Sequence, residues 1–305
     1  MGYLHGFASE TRQTCGRVNS YEQGRTVRAP DYLLIGHITQ DLTPWGPTLG
    51  GTATYAARTA QALGYRVAVL TSASPDLVLD GALRGIAMER LPAPATTTFE
   101  NIYTPHGRRQ IIHAVAAPLG PDAVPPAWRS PRIVHLGPLA RECDPALVHA
   151  FPGSFIGITP QGWLRTWDEA GRVSLRRWEE ADQVLPYADA VVLSPEDVGG
   201  DEAILAEFAR LAPILVVTLG AQGCRVHVGD EVRHIPVTPQ EEVDPTGAGD
   251  IFAAAFFIRL HETGDPWEAA RFANQVASRS VRRPGLEGTP TPEEIATLRS
   301  HGLAA

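Results

Sequence analysis

Short apolar runs alternate with amphipathic stretches along most of this 305-residue chain. Tyr32 to His37, Arg66 to Thr71, Arg132 to Leu136, Phe155 to Thr159, Ala190 to Leu193 and Ile214 to Thr218 are rich in Val, Ile and Leu and bounded by Gly, Pro or polar residues. Such continuous runs read as strands covered on both faces. Between them the period changes. Thr52 to Leu63 reads as a helix stopped by Gly64, and Asp201 to Leu211 as an amphipathic helix. Leu77 to Arg84 is expected to be helical and Ile86 to Glu89 extended. Cys224 to Val228 and Val232 to Val237 form a hairpin around Gly229-Asp230. Ala248 to His261, Pro266 to Val281 and Pro292 to Ser300 are the closing helices. The alternation predicts an α/β fold with a mostly parallel sheet flanked by helices.

One stretch interrupts it. Thr96 to Tyr103 and Arg109 to Ala116 are β-branched or aromatic runs joined by Pro105-His106-Gly107, with no helix between them. They are expected to pair as an antiparallel hairpin outside the main sheet, a natural lid. Pro118 to Pro131 reads as a connector. Residues 1–29 are polar and Gly-rich, without the apolar core of a secretory signal, and read as a flexible tail. Residues 30–305 read as a single domain, with the lid drawn from about 38–49 and 96–117.

Composition changes the picture at one point. The 26 basic residues are all arginine; the chain has no lysine. Schiff-base chemistry, a Walker A lysine and a protein-kinase strand lysine are therefore excluded. Any phosphate must be handled by backbone amides, arginine or a metal ion. The net charge of −8 and the scattered arginine pairs argue against a nucleic-acid partner. No apolar run is long enough to span a membrane. Cys15, Cys143 and Cys224 have no metal or disulfide spacing, so a reducing, cytoplasmic setting is expected.

The chemistry concentrates in Asp244-Pro245-Thr246-Gly247-Ala248-Gly249-Asp250, followed at once by the apolar run from Ile251 to Ile258. Two glycines open a buried helix, whose first amides lack partners within the helix and carry the positive end of its dipole. That is an anion site, and phosphate is its usual occupant. Asp250, in the first turn, is placed to take a proton from a hydroxyl that attacks the phosphate. A Gly-rich turn with a capping Asp also occurs as plain structure. A dinucleotide fingerprint fits worse, because Phe252 stands where its third glycine belongs.

Other motifs fall in order around this one: Gly36-His37-Ile38-Thr39-Gln40-Asp41, Gly50-Gly51, Thr218-Leu219-Gly220-Ala221-Gln222-Gly223, and Asn274 on the penultimate helix. Together they resemble the ribokinase-like, or PfkB, family of carbohydrate and nucleoside kinases, over about residues 31 to 290. Thr98-Phe99-Glu100 and Gln161-Gly162-Trp163-Leu164-Arg165 are similar to its inositol-kinase-like branch. The resemblance implies a three-layer, Rossmann-like ribokinase fold with a small β lid. It also implies an ATP-dependent kinase acting on an alcohol group of a small polyol, sugar or nucleoside. Asp250 would be the general base, and the amides of Gly247, Ala248 and Gly249 would hold the transferring group. Thr218, Gly220 and Gly223 would meet the nucleotide, with Asn274 near its base or ribose and Ser194 close by. Asp41, Gly50 and Gly51 would bind the acceptor, a role that Asp41 also earns as an acid just past the first strand, where two hydroxyls can share it.

The chain departs from the family pattern in three places. Tyr55 stands where many relatives have a sugar-binding Asn, which permits a flatter or more apolar acceptor. Ser194-Pro195-Glu196-Asp197 replaces an N-x-x-E element that organises Mg2+ through water; Asp197, with Glu196 as fallback, would take that role. Arg165 falls two residues later than the arginine of a D-x-N-x-R stretch, and would supply a guanidinium to the phosphoryl group. Arg108 or Arg109 at the lid tip is an alternative source of that charge. Some relatives hold a monovalent cation near the loop that matches Asp244, and open lid edges would allow a homodimer. The competing reading is a sensor of the same fold that binds nucleotide or sugar without chemistry; a retained base argues against it.

Overall fold

The computed structural model describes residues 29–104 and 107–300, with backbone alone at 103–104 and 107–108. The expected tail up to residue 28, the hairpin tip at Pro105-His106 and the Arg108 side chain lie outside this description. In chain order the elements begin with β1 (Tyr32–Ile35), β2 (Thr39–Thr43), β3 (Gly46–Gly50), α1 (Thr52–Ala62), β4 (Val67–Ala73) and β5 (Ala87–Pro92). They continue with β6 (Thr98–Thr104), β7 (Gly107–Ala114), β8 (Ile133–Leu136), β9 (Phe155–Ile158), β10 (Arg165–Trp167), β11 (Val173–Leu175) and α2 (Ala181–Val184). The last group is β12 (Ala190–Leu193), α3 (Glu202–Leu211), β13 (Ile214–Thr218), β14 (Cys224–Val228), β15 (Glu231–Ile235), α4 (Ala248–Thr263), α5 (Pro266–Ser280) and α6 (Pro292–Ser300).

Nine strands form the main sheet in the order β15-β14-β13-β12-β9-β8-β1-β4-β5. From β13 to β5 every pairing is parallel; β14 and β15 add an antiparallel hairpin at one edge. Because side chains alternate along a strand, each run feeds two cores. Tyr32 and Leu34 of β1 pack with α1, α4, α5 and α6 on one face. Leu33 and Ile35 pack on the other face with Leu205 and Phe208 of α3 and with Trp163 and Trp178. Three layers result. Helix α4 is apolar all round because α1, α5 and the sheet enclose it, and its residues Ile251 to Ile258 are all buried. Gly157 on β9 lets it seat closely: a side chain there would enter the ring of Phe257.

A second sheet, β3-β2-β6-β7, leaves the main one between β1 and α1 and again after β5. Its inner side chains Phe99 and Ile112 rest on Leu139 and Ala140 of the main body. The expected hairpin is therefore present as β6 and β7, joined through β2 to β3.

One sequence expectation fails locally. Leu77 to Arg84 is a string of turns, and Asp80 (φ 43°) and Gly81 (φ 74°) both take left-handed backbone that an α-helix cannot hold. The extended segment expected at Ile86 to Glu89 is present and runs further, as Ala87–Pro92, paired along its length with β4. Among the described residues no helix is long and apolar enough to cross a membrane.

Candidate active site

All the parallel strands of the main sheet end at one edge, and the loops leaving those ends carry the site, as expected for an open α/β sheet. The turn before α4 lies at its centre. Asp244 closes that turn: its carboxylate accepts the amides of Thr246 (2.9 Å) and Gly285 (2.7 Å). Burial pushes Asp244 up, but these hydrogen bonds outweigh it and hold the group below its ordinary value. Gly247 then takes a left-handed conformation (φ 77°) that starts α4. A side chain at Gly247 would also enter the ring of Tyr55, which packs directly beneath the turn.

The amides of Gly247, Gly249 and Asp250 have no protein acceptor among the described residues. Ala248, expected to complete this set, does not: its amide donates to Pro245 at 3.1 Å. The cause is the turn itself, which closes through an i to i+3 hydrogen bond. Its place in the cluster is taken by the amide of Asp250, which points along the helix axis with the others.

The Asp250 carboxylate stands beside these amides. Thr52, the first residue of α1, donates its hydroxyl to Asp250 Oδ1 at 2.6 Å. Burial raises the Asp250 pKa to about 6; Asp197 and Asp41 push the same way, while Thr52 and Arg165 pull it down. That balance places a carboxylate near the working range of a general base. It also shows that Asp41, Arg165 and Asp197 act on one point although they come from β2, β10 and the turn after β12.

On the side of the smaller sheet, Asp41 faces inward. Its Oδ1 accepts the Thr39 hydroxyl (3.3 Å), and its Oδ2 leans on Gly50, where a side chain would collide with it. Gly51 (φ 87°) starts α1 with its Cα against the His37 carbonyl and Leu139. Arg165 is buried on β10. Two histidines of this region are engaged elsewhere. His37 lies between the Thr97 hydroxyl (2.7 Å) and the Ala117 carbonyl (2.9 Å), and His113 pairs with Glu100 on an outer face.

On the far side of the amide cluster a pocket opens, lined by Thr218, Gly220, Gly223, Gly249, Phe252 and Asn274, with further apolar walls from Val237 to Val281. With Ala248, it holds six of the residues expected to face a nucleotide or its phosphates. Asn274 has a structural duty that the sequence does not reveal: it is buried, and its amide nitrogen donates to the Ile235 carbonyl at 2.9 Å, fastening α5 to β15. Ser194 is not part of this lining; it and Asp197 form a capping box, with Asp197 Oδ2 accepting both the Ser194 amide (2.8 Å) and hydroxyl (3.0 Å).

A profile of the pfkB family of carbohydrate kinases matches residues 181–293, the segment that contains the Thr218 loop, the Asp250 turn and Asn274. That segment of the chain is similar to the pfkB family of carbohydrate kinases. Ribokinase from Bacillus subtilis (strain 168) is 45% identical over 101 residues, 32% of this chain and 34% of that protein. Alignments with this ribokinase and with two fructokinases span 34%, 61% and 49% of those relatives. The fold match is longer. A pyrophosphate-dependent kinase in the ribokinase family, solved as a sulfate complex, superposes with a TM-score of 0.73 at 25% identity, covering 84% of this chain and 98% of that one. A pyrophosphate-dependent kinase of the same family, bound to a pyrophosphate analog and myo-inositol, gives 0.75 at 24% identity over 87% and 99%.

At this site the metal question turns on Asp197. Among the described residues no three His, Cys, Asp or Glu side chains gather as a metal-binding group. Glu196 is exposed and is not among the charges that act on Asp250; Asp197 is. Asp197 Oδ1 also accepts the Gln161 amide at 3.0 Å. One such fixed carboxylate fits a hydrated Mg2+ held chiefly by donor phosphates, since that ion keeps most of its waters. It does not fit an ion caged by protein.

Proposed function

We propose that this chain is a phosphotransferase that moves the terminal phosphoryl group of ATP to a hydroxyl of a small polyol, sugar or nucleoside. An inositol-like or carbohydrate acceptor is favoured. The observation that carries this reading is the junction at the mouth of α4: a carboxylate with a pKa near 6 beside three unengaged amides, between an inward-facing carboxylate and an open pocket. Asp250 Oδ2 takes the acceptor proton. The acceptor oxygen bonds to the terminal phosphorus as the bond to the bridging oxygen breaks, and the nucleoside diphosphate leaves. The amides of Gly247, Gly249 and Asp250 hold the charge that builds on the transferring oxygens; one such donor contributes roughly 3–4 kcal/mol where it has been measured. Arg165 adds a fixed positive charge without a lysine. Mg2+, bound through water to Asp197, would neutralise the donor phosphates. Asp41 would accept hydrogen bonds from two acceptor hydroxyls. A monovalent cation near Asp244 remains part of the proposal.

A second donor has a specific observation behind it, since two structural neighbours are pyrophosphate-dependent kinases and one is bound to myo-inositol. The apolar pocket beside the amide cluster supports a nucleotide instead, because pyrophosphate offers nothing to bury there. A transfer assay with ATP or pyrophosphate, across inositols, hexoses and nucleosides, decides both donor and acceptor. Product with ATP and one acceptor class is expected. Nucleotide binding without product from any acceptor would instead make the chain a sensor.

A homodimer through the smaller sheet also belongs to this proposal. Its outer side carries exposed Leu42 and Ile102, and Trp45 at the β2–β3 turn is 95% exposed. Sedimentation should give a dimer that Trp45→Ser weakens; a monomer for the parent chain would remove this part.

A further inference from the structure

The sequence motifs assign Asp250 its role but leave open what aims it. Asp250 lies at the first turn of α4, where its side chain has rotational freedom, and two acidic neighbours, Asp41 and Asp197, repel its charge. A carboxylate so placed would turn toward Arg165 or take up a proton unless something held it.

Thr52 is built to hold it. It is buried at the first position of α1, immediately after Gly50-Gly51. Its methyl group lies over the Cα of Gly137, at the end of β8, so closely that a side chain on Gly137 would collide with it. That contact fixes the rotamer, and the remaining staggered position sends the hydroxyl to Asp250 Oδ1 at 2.6 Å, a bond between residues 198 apart in sequence. A hydroxyl–carboxylate bond of this length is charge-assisted and strong.

Resting on the kinase reading above, we propose that Thr52 is the positioning residue that presents the base. By occupying Oδ1 it leaves Oδ2 toward the cleft, and by donating to the charged form it keeps the carboxylate ionised against Asp41 and Asp197. Among the described residues the groups acting on Asp250 are Thr52 from α1, Asp41 from β2, Arg165 from β10, Asp197 from the turn after β12, and the phenols of Tyr32 and Tyr55, both of which feel its charge. Thr52 follows the two glycines of the acceptor side directly, so the segment that meets the acceptor and the group that aims the base are one piece of chain.

Two substitutions separate the parts of this device. Thr52→Val keeps the methyl seat over Gly137 and removes the hydrogen bond. Thr52→Ser keeps the hydrogen bond and removes the seat. Two readouts are taken on the full chain: the acid limb of kcat/KM against pH, and the Asp250 carboxyl titration followed by carbon NMR. Thr52→Val should move the Asp250 midpoint up by about one pH unit and lower kcat about tenfold at pH 7, with ATP affinity unchanged. Thr52→Ser should keep the parent midpoint and lose only a few-fold in kcat. A Thr52→Val midpoint equal to the parent's overturns the proposal, as does a shift of the same size in Thr52→Ser. If the parent chain transfers no phosphoryl group the kinase reading fails, and the NMR titration still decides whether Thr52 governs Asp250.

Discussion

Asp250 carries a stability cost as the counterpart of its chemistry. Its pKa is raised from 3.8 to about 6 by burial, so between these values the folded chain binds a proton that the unfolded chain has released. The stability this group contributes is full below 3.8 and lost as pH rises through about 6. Asp250→Asn removes that penalty. It should raise unfolding stability at pH 8 by about 1–2 kcal/mol in urea denaturation, and lower transfer by at least about 10²–10⁴-fold. Loss of transfer with loss of stability would point to a structural role instead. At this scale the sequence was informative where the chemistry is contiguous, because Asp244 to Asp250 states its own geometry. It was silent on Thr52, whose hydroxyl meets Asp250 across 198 residues, and on Ala248, whose amide is consumed by the turn that presents its neighbours.

At the scale of elements, α1 and α4 act as a pair. Tyr55 of α1 fills the space under Gly247, and burial beside Asp41, Asp244 and Asp250 holds its phenol well above the ordinary value, so it stays neutral. The Tyr at a position where a sugar-binding Asn was the family expectation is thus a support for the turn. Gly247→Ala must strain a left-handed backbone and push into the Tyr55 ring. A loss of about 2–4 kcal/mol in stability and at least tenfold in kcat is expected. In a double-mutant cycle with Tyr55→Ala, part of the Gly247→Ala loss should disappear, showing that the two residues are coupled. Strict additivity would contradict the contact. Elements with long apolar periods, such as α4 and the parallel strands, were readable because burial on all sides leaves an unbroken run. Leu77 to Arg84 was not, since its apolar spacing mimics a helix while Asp80 and Gly81 turn the backbone the other way.

For the whole molecule, two titrations of opposite sign shape stability in acid. His135 lies inside the sheet–α4 interface, bonded to the Tyr32 hydroxyl (2.7 Å) and the Thr159 hydroxyl (3.0 Å), and burial drives its pKa down to about 3. The unfolded chain takes up a proton near 6.5 that the folded chain refuses until about 3. The stability from a neutral His135 is therefore present above 6.5 and lost as pH falls through that window. Asp250 changes in the opposite direction over part of the same range. Asp250→Asn should then lose stability more steeply than the parent between pH 6 and 4, by about 1–3 kcal/mol in urea denaturation across that interval. Parallel curves would show that one of the two groups titrates outside its assigned window. The three-layer order was legible from alternating runs. The bringing together of β2, β10, α1 and the turn after β12 around one carboxylate was not, because no local period encodes it.

The account stands on Asp250 as the base beside free amides at the mouth of α4. Single-turnover transfer from terminally labelled ATP, comparing the parent chain with Asp250→Asn on the acceptor found by the panel, tests it most directly. The account predicts ATP binding within about twofold of the parent and labelled product slower by at least about 10²-fold. Labelled product formed by Asp250→Asn at the parent rate would contradict it.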